Sequence, residues 1–318
     1  MDVTAQLVLQ AAQMLLVLAV APLLTGFVRK LKSRLQQRRG PAVLQPYRDL
    51  WKLLHKEAVV ADNASWLFRV APYLIFAATW TAASLVPTFV TGLTLSMSAD
   101  LIAIVALLGS ARFFLALAGL DIGTSFGGIG SSREVMIASL AEPALVVVAF
   151  TLALIAGSTQ LSVIAAYMTS GDVGLRVSLG LAAAALIIVA IAENGRIPVD
   201  NPATHLELTM VHEAMVLEYS GRHLAVIEFA GSLKLLLYVS LIAAVFLPWG
   251  LAPPAANPAA YALGLGAYAL KVAFAGILLA LFETTIAKMR VFRVPEFLGI
   301  SLMLALLGVL LMFVTKSL

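Results

Sequence analysis

Long apolar runs separated by polar loops dominate the hydrophobicity pattern of this chain. A transmembrane helix needs about 20 consecutive, mostly apolar residues, and runs of that order recur along the sequence. They predict eight membrane spans, at residues 4–28, 68–90, 98–119, 137–157, 174–193, 230–249, 260–282 and 296–315. The pattern therefore predicts an all-α polytopic membrane protein that forms a single integral membrane domain.

The polar segment after the first span predicts short amphipathic helices at the membrane surface. Leu31 and Leu35 lie four positions apart among cations, and Gly40-Pro41 should end that helix. A second apolar face, which contains Trp51, follows between charged residues. Such helices lie in the interface with their lysine and arginine side chains extended towards the headgroups. Packing against a partner protein is the alternative.

The composition agrees with a lipid environment and excludes several chemistries. Apolar residues make up 61% of the chain and charged residues 12%, whereas globular chains have about 45–50% and about 25%. There is no cysteine, which excludes a disulfide framework, a thiolate zinc site or an iron–sulfur cluster on this chain alone. The histidine and acid spacings match no standard metal site, so we expect no metal here.

Lysine and arginine are unevenly distributed, and this distribution predicts the orientation. Most of them lie in four predicted loops, at 29–67, 120–136, 194–229 and 283–295. The opposite face shows only Arg176 and Lys316. By the positive-inside rule, the basic loops face the cytoplasm, and both termini lie on the non-cytoplasmic side of the cell inner membrane. The cations at 29–39 either set this topology and contact anionic headgroups or also dock a partner. Nucleic acid is not expected.

The second basic loop leads into a span that carries an acid. Ser131 and Glu134 form a capping-box pattern, which predicts the start of the next helix. Glu142 lies inside the span and precedes Pro143, which should kink the helix. An ionised acid at mid-helix costs about 2.5–3.5 kcal/mol on insertion scales, so Glu142 should face the bundle interior. The alternative is a simple pairing with a nearby cation, namely Arg112, Arg133 or Lys234.

A dense series of acidic residues follows the fifth span. Six of the 17 acidic residues lie between Glu193 and Glu228. Glu207 and Glu218 would share a face if that stretch is helical. Closely spaced carboxylates in a low dielectric compete for protons, which favours a proton relay. For Glu213 and Glu228 taken alone, a solvated acidic loop is favoured instead. Two lysines inside predicted spans need an acidic partner or a neutral state, namely Lys234 and Lys271.

Three long motifs resemble one family. They are QRRGPAVLQPYRDLWKLLHKE at 37–57, IGSSREVMIASLAEPAL at 129–145 and AENGRIPVDNPATHLELTMVHEAMVLEYSG at 192–221. Together they resemble the membrane subunit shared by respiratory complex I, as its subunit 1, and the membrane-bound group 4 nickel–iron hydrogenases. The eight predicted spans fit as well, so the resemblance covers essentially the whole chain.

The resemblance implies a subunit at the heel of a membrane arm, with no cofactor of its own. Its cytoplasmic loops would hold a hydrophilic iron–sulfur small subunit and a hydrogenase-like large subunit, which would carry the iron–sulfur clusters and the nickel–iron centre. Its buried acids would start a proton path towards antiporter-like membrane subunits. The matched motifs assign the relay to Glu142, Glu193, Asp200, Glu207 and Glu218. They assign loop positioning or partner docking to Arg38, Arg39, Gly40, Pro41, Arg133, Glu134 and Arg196.

Two departures from the quinone-reducing members point to the hydrogenase branch. Ala203 and His205 stand where those members have glutamates, and about three extra residues precede Glu218. Both features are similar to the formate hydrogenlyase and hydrogenase 4 type. A quinone site is therefore not expected, although these departures do not exclude a vestigial quinone cavity. The alternatives are a quinone-site subunit of a complex I type enzyme, a purely structural anchor, and a stand-alone transporter, against which the lack of an evident internal repeat argues.

Overall fold

The structure of the protein, a computed structural model, describes residues 3–169, 177–200, 210–253 and 256–317. Within these ranges all regular structure is helical, apart from two isolated β-bridges. The α-helices in chain order are α1 (Val3–Leu35), α2 (Gln45–Leu54), α3 (Trp66–Leu85), α4 (Leu101–Asp121), α5 (Ser125–Ala156), α6 (Leu161–Thr169), α7 (Val177–Glu193), α8 (His212–Val216), α9 (Gly221–Phe246), α10 (Pro258–Thr285) and α11 (Val294–Ser317).

Six of the described helices are long and apolar enough to cross a membrane, namely α1, α4, α5, α9, α10 and α11. They confirm an all-helical, multi-pass membrane protein. Helices α3 and α7 occupy the other two predicted spans, 68–90 and 174–193. Helix α7 has 17 described residues, and α3 contains Arg69 and Pro72. The total of eight spans stays a prediction.

The connection between α1 and α2 differs from the expectation. Helix α1 continues unbroken to Leu35, so Leu31 and Leu35 belong to its last turns and not to a separate surface helix. The chain then returns along α1, where a Cβ on Gly26 would lie 1.9 Å from the carbonyl oxygen of Val43. The predicted second amphipathic helix is α2. It packs on α1 and α9 and leaves Trp51 68% exposed, as a helix at a lipid interface would.

Helix α5 begins about two turns before the start that the capping box at Ser131 predicts. It starts at Ser125, and the hydroxyl of Thr124 caps it by accepting from the Gly127 amide at 3.2 Å. Most of the predicted loop 120–136 is therefore helical, and the capping box at Ser131 was wrong. The early start depends on close packing, because a Cβ on Gly127 would lie 2.1 Å from the carbonyl oxygen of Gly119. Instead of capping a helix, the Ser131 hydroxyl donates to the Ala116 carbonyl at 2.9 Å.

Helix α9 forms the centre of the bundle. It packs against α1, α2, α3, α6 and α7, and 61% of its most apolar 18-residue stretch is buried. The corresponding share is 22% in α10 and 28% in α11, so these two helices lie at the periphery and present apolar faces outward. Polar side chains that point towards α9 therefore lie in the middle of the molecule.

Candidate functional site

Arg112 on α4 is the centre of a buried ionic cluster, which we call the Arg112 cluster. Its Nε lies 3.1 Å from Glu134 Oε1, its Nη1 lies 3.6 Å from Glu142 Oε1, and its Nη2 contacts Glu193 Oε1. Lys234 Nζ on α9 lies 4.0 Å from the other oxygen of Glu193. The cluster thus contains three carboxylates and two cations. Taking up one proton would remove the excess negative charge, which a low-dielectric interior disfavours.

The three carboxylates of the Arg112 cluster are buried to different degrees. The side chain of Glu193 is 5% exposed, that of Glu134 is 11% exposed and that of Glu142 is 43% exposed. Helix α5 supplies Glu134 and Glu142, and α7 ends at Glu193. Arg112, with its side chain 5% exposed, therefore joins two positions within α5 and the end of α7 to α4.

A second group of charges, the Glu283 cluster, lies where the basic loops meet. Glu283, near the end of α10, has a side chain that is 2% exposed. Its carboxylate accepts from Lys32 Nζ at 3.0 Å and from Arg196 Nη1 at 3.3 Å. The buried guanidinium of Arg196 has its pKa lowered by desolvation, although Glu283 partly opposes that shift. This cluster joins the end of α1, the end of α10 and the loop after α7.

Asp200 links the loop after α7 to the loop after α10. Its Oδ1 accepts from Lys288 Nζ at 2.7 Å, and its Oδ2 accepts from the Val211 amide at 3.3 Å. Nearby, the Met289 amide donates to the Pro198 carbonyl at 2.9 Å. Lys288 and the Val211 amide thus both bind the carboxylate of Asp200 at the base of the bundle.

Two small cavities separate these charged groups. One of about 50 Å³ is lined by Glu134, Glu193, Asp200, His212 and Lys234. The other, of about 30 Å³, borders Arg112 and shares with the first the side chains of Glu134, His212 and Lys234. A water molecule needs about 10–15 Å³ of such volume, so each cavity has room for water. Asp200 and the Arg112 cluster therefore border the same polar space.

His212, the first residue of α8, stands between the two cavities. Burial lowers the pKa of its imidazole below the ordinary value of 6.5, and the positive charge of Lys234 lowers it further. The carboxylates of Glu134, Glu213 and Asp200 act in the opposite direction. The ring is consequently neutral near neutral pH.

Of the predicted loop-positioning or docking residues, Glu134 belongs to the Arg112 cluster and Arg196 to the Glu283 cluster. The other five lie in two further places. Arg133 on α5 donates from Nη1 to the Met210 carbonyl at 2.9 Å, which fastens the segment before α8 to α5. The other group lies in the turn between α1 and α2, where Arg38, Arg39 and Pro41 are exposed. In that turn a Cβ on Gly40 would lie 2.6 Å from the Cβ of Ser33.

Two further predicted residues, Glu218 and Lys271, lie apart from the Arg112 cluster, and a third falls outside the described residues. Glu218 follows the end of α8 and is exposed, while the next residue, Tyr219, is buried and donates its hydroxyl proton to the Phe68 carbonyl at 2.9 Å. Glu207 falls in 201–209, outside the described residues. The side-chain nitrogen of Lys271 donates to the Trp249 carbonyl, a backbone oxygen rather than the acidic partner that was one of the two alternatives from the sequence.

Sequence reasoning missed two residues of the site and misjudged a third. It treated Arg112 only as one of several cations that Glu142 could meet, and it did not single out Glu283. His212 was considered only among the histidine and acid spacings, which match no standard metal site. A detectable signal existed for Glu283, which is an acid at the end of an apolar run, five residues before Lys288.

The chain is similar to membrane subunits of several oxidoreductases. Formate hydrogenlyase subunit 4 of Escherichia coli (strain K12) is 36% identical over 284 residues, which are 89% of this chain and 91% of that protein. Hydrogenase-4 component C of the same organism is 35% identical over 294 residues, which are 92% and 91% of the two chains. NADH-quinone oxidoreductase subunit 8 of Rhodothermus marinus is 28% identical over 250 residues, covering 74% and 71%.

A solved structure and a family match complete the comparison. A chain of the membrane-bound sulfane sulfur reductase, an archaeal respiratory membrane complex, has the same fold, with a TM-score of 0.78 at 19% identity over 98% of this chain and 99% of that one. Residues 8–315 match the family described as NADH dehydrogenase. These findings confirm the resemblance seen in the motifs, and the similarity is higher to the hydrogenase-type relatives than to the quinone-type relative. This chain belongs to the NADH dehydrogenase family.

Proposed function

We propose that this chain is the membrane subunit of a group 4 nickel–iron hydrogenase or formate hydrogenlyase-like complex, where it docks a hydrophilic arm and links it to a proton path. The two relatives above 30% identity support the hydrogenase type. The proposal includes eight spans in the cell inner membrane, with the basic loops in the cytoplasm and both termini on the other side. The unequal distribution of lysine and arginine supports that orientation.

The observation that carries the proton path is that the Arg112 cluster and Asp200 border the same polar cavity. We propose that protons exchange between Glu193, Asp200 and Glu142, with Glu134 as an added member of the relay. Glu142 has the most exposed side chain of the three glutamates around Arg112, and would pass protons to neighbouring membrane subunits. Glu207 and the exposed Glu218 would serve at the cytoplasmic entrance.

The redox centres of such a complex would belong to its partner subunits. Iron–sulfur clusters are bound by cysteine thiolates, and this chain has no cysteine. We therefore propose that a hydrophilic iron–sulfur small subunit and a hydrogenase-like large subunit carry the clusters and the nickel–iron centre. Antiporter-like membrane subunits would continue the proton path.

The cytoplasmic loops supply the proposed docking surface and its mechanical link to the acids. The turn with Arg38 and Arg39 is exposed and offers cations to an acidic partner surface. Arg196 binds Glu283 and so fastens the loop after α7 to α10. Asp200 binds Lys288 and so fastens the same loop to the loop after α10. A displacement of that loop by a docked arm would change the surroundings of Asp200 and Glu193 together.

The described cavities are small for a quinone. Sites for small organic ligands usually have volumes of about 300–1,000 Å³. The two cavities measure about 50 and 30 Å³, and the ionic side chains of Glu134 and Lys234 border both of them. The small volumes favour the hydrogenase-type function over the quinone-reducing alternative.

The relay is tested by glutamine substitutions that keep shape and remove titration. Glu193→Gln and Glu142→Gln are introduced into the complete complex, and Glu57→Gln, at an exposed acid in the first cytoplasmic loop, is the matched control. Donor-driven proton uptake into inside-out membrane vesicles is measured with a pH-sensitive dye. We expect a loss of about ten-fold or more in the first two variants, in keeping with the usual contribution of a positioned proton-transfer group.

The outcomes separate the proposed function from its alternatives. If both relay variants translocate protons as the wild type does, the acids only hold the loops and the chain is an anchor. The proteins that co-purify with the complex decide the rest. A nickel–iron large subunit supports the proposal, whereas NADH-binding subunits together with bound quinone would replace it by the complex I type. Substrate uptake by the isolated chain in liposomes would indicate a transporter.

A further inference from the structure

We propose that His212 carries protons between the Arg112 cluster and Asp200. This inference rests on the proposed function and adds a residue that neither the family motifs nor the carboxylate series assigned to the relay. Its basis is geometric, because the imidazole lines both cavities and thereby connects the two groups.

The position of His212 is determined by hydrogen bonds on the residues that precede it. Arg133 holds the Met210 carbonyl, and Asp200 accepts from the Val211 amide. Gly195, in the left-handed region with φ +54, brings the neighbouring loop close. A Cβ there would lie 3.9 Å from the Cβ of Asp200 and 4.0 Å from the Cβ of His212. The imidazole is therefore placed beside Asp200 by backbone contacts that do not use its ring.

The charges around the ring suit a carrier that is neutral at rest. Lys234 from α9 disfavours the imidazolium, while Glu134 from α5, Asp200 from the loop after α7 and Glu213 from α8 favour it. Because burial is the largest influence, the uncharged ring predominates, but three carboxylates are close enough to stabilise a transient positive charge. A neutral imidazole can accept a proton at one nitrogen and release another from the second nitrogen.

The transfer can be written without any redox step. A protonated Glu134 or Glu193 gives its proton to one ring nitrogen of His212, which becomes an imidazolium beside a carboxylate. The proton on the other nitrogen then passes to the carboxylate of Asp200, directly or through water in the cavity, and the neutral ring is restored as its other tautomer. One proton enters and one proton leaves, so charge is conserved.

The test compares His212 with a second histidine, His223, in the complete complex. His212→Gln removes the transfer group and keeps an amide of similar size. His223→Gln is the matched control, because His223 is buried, lies edge-on to Tyr73 at a centroid distance of 5.8 Å, and lines neither cavity. Donor-driven proton uptake by vesicles is measured for both, together with subunit content and electron transfer to an artificial acceptor.

We expect His212→Gln to lower proton uptake by about ten-fold or more with unchanged subunit content, and His223→Gln to resemble the wild type. In His212→Ala, added imidazole should restore at least a several-fold gain, and the gain should rise with pH as more of the added base is neutral. If His212→Gln prevents assembly, His212→Asn and the rescue of His212→Ala decide the question.

Each contrary result is informative. Wild-type uptake in His212→Gln, together with loss of uptake in Glu193→Gln, would overturn the role of His212 and leave the proposed function standing. Wild-type uptake in both would overturn the proposed function as well. Equal losses in His212→Gln and His223→Gln, without rescue by imidazole, would show a general packing defect and also overturn the role of His212.

Discussion

Arg112 offers the most direct test of the buried charge arrangement. Replacement by methionine keeps a long side chain and removes the charge that the three carboxylates share. Glu193 would then retain only Lys234 among the cations of the described residues, at 4.0 Å, and Glu134 would lose its pairing with the Nε of Arg112 at 3.1 Å. We therefore expect Arg112→Met to destabilise the bundle where α4, α5 and α7 meet.

The magnitude follows from the burial of each pair. Removing one partner of a buried ion pair costs about 3–5 kcal/mol, which applies to Glu193 because its side chain is 5% exposed. A pair as exposed as that of Glu142, at 43%, contributes about 0–1 kcal/mol. The losses of neighbouring ion pairs do not add, and Lys234 remains beside Glu193. We therefore expect Arg112→Met to lower the free energy of unfolding by about 3–5 kcal/mol in total. At roughly 2 °C per kcal/mol for a large chain, the melting temperature should fall by roughly 6–10 °C.

Double-mutant cycles divide this effect among the three glutamates. Thermal unfolding of the purified complex in detergent, followed by intrinsic fluorescence, would be measured for Arg112→Met, for each single Glu→Gln variant and for each double variant. We expect the coupling energy with Arg112 to be about 2–3 kcal/mol for Glu193, about 1–2 kcal/mol for Glu134 and below about 0.5 kcal/mol for Glu142.

Two results would refute this reasoning. A melting temperature of Arg112→Met within about 1 °C of the wild type would show that the cluster does not hold the helices together. Equal coupling to all three glutamates would show that burial does not determine the strength of these pairs. Arg112→Lys is the matched control, since it keeps the charge but cannot reach three carboxylates at once, and it should lie between the wild type and Arg112→Met.

Two further predictions concern the loops below the bundle. Glu283→Gln should lower the free energy of unfolding by about 1.5–3 kcal/mol, the usual contribution of a hydrogen bond to a charged group, because Lys32 and Arg196 lose their shared carboxylate. Thermal unfolding checks this prediction, and an unchanged melting temperature would contradict it. The lowered pKa of His212 predicts that stability falls as the pH drops below about 6.5, since the unfolded chain then binds a proton that the folded ring resists. In melting curves recorded between pH 7.5 and pH 5, His212→Gln should show a smaller fall than the wild type, and equal falls would contradict the assignment.

Much of the architecture can be predicted because it depends on local composition. A run of about 20 apolar residues has no stable place in water, so the six long helices follow from the sequence with little ambiguity. The amphipathic helix α2 follows from the spacing of its apolar positions. The helix boundaries were less predictable, because they depend on contacts from elsewhere in the chain. Helix α5 begins at Ser125 because Gly127 allows close approach to Gly119.

The candidate site was predicted in part. Glu142 and Glu193 were identified as acids in apolar surroundings, but the sequence could not rank them. Glu142 attracted more attention, since it precedes a proline within a span, and yet Glu193 is the more deeply buried of the two. Fractional burial depends on which neighbouring helices cover a residue, and no local pattern contains that information.

Composition and periodicity by themselves determined that the chain is a helical membrane protein and that its charges are concentrated in a few loops, and its three long motifs resembled one family. Only the tertiary structure decided which charges meet. Lys32 and Glu283 are 251 residues apart in sequence and yet form an ion pair, and Arg112 on α4 gathers carboxylates from α5 and α7. The sequence shows which charged residues lie in apolar runs, where burying an unpaired charge is unfavourable. The partner of each charge depends on how helices that are distant along the chain pack together.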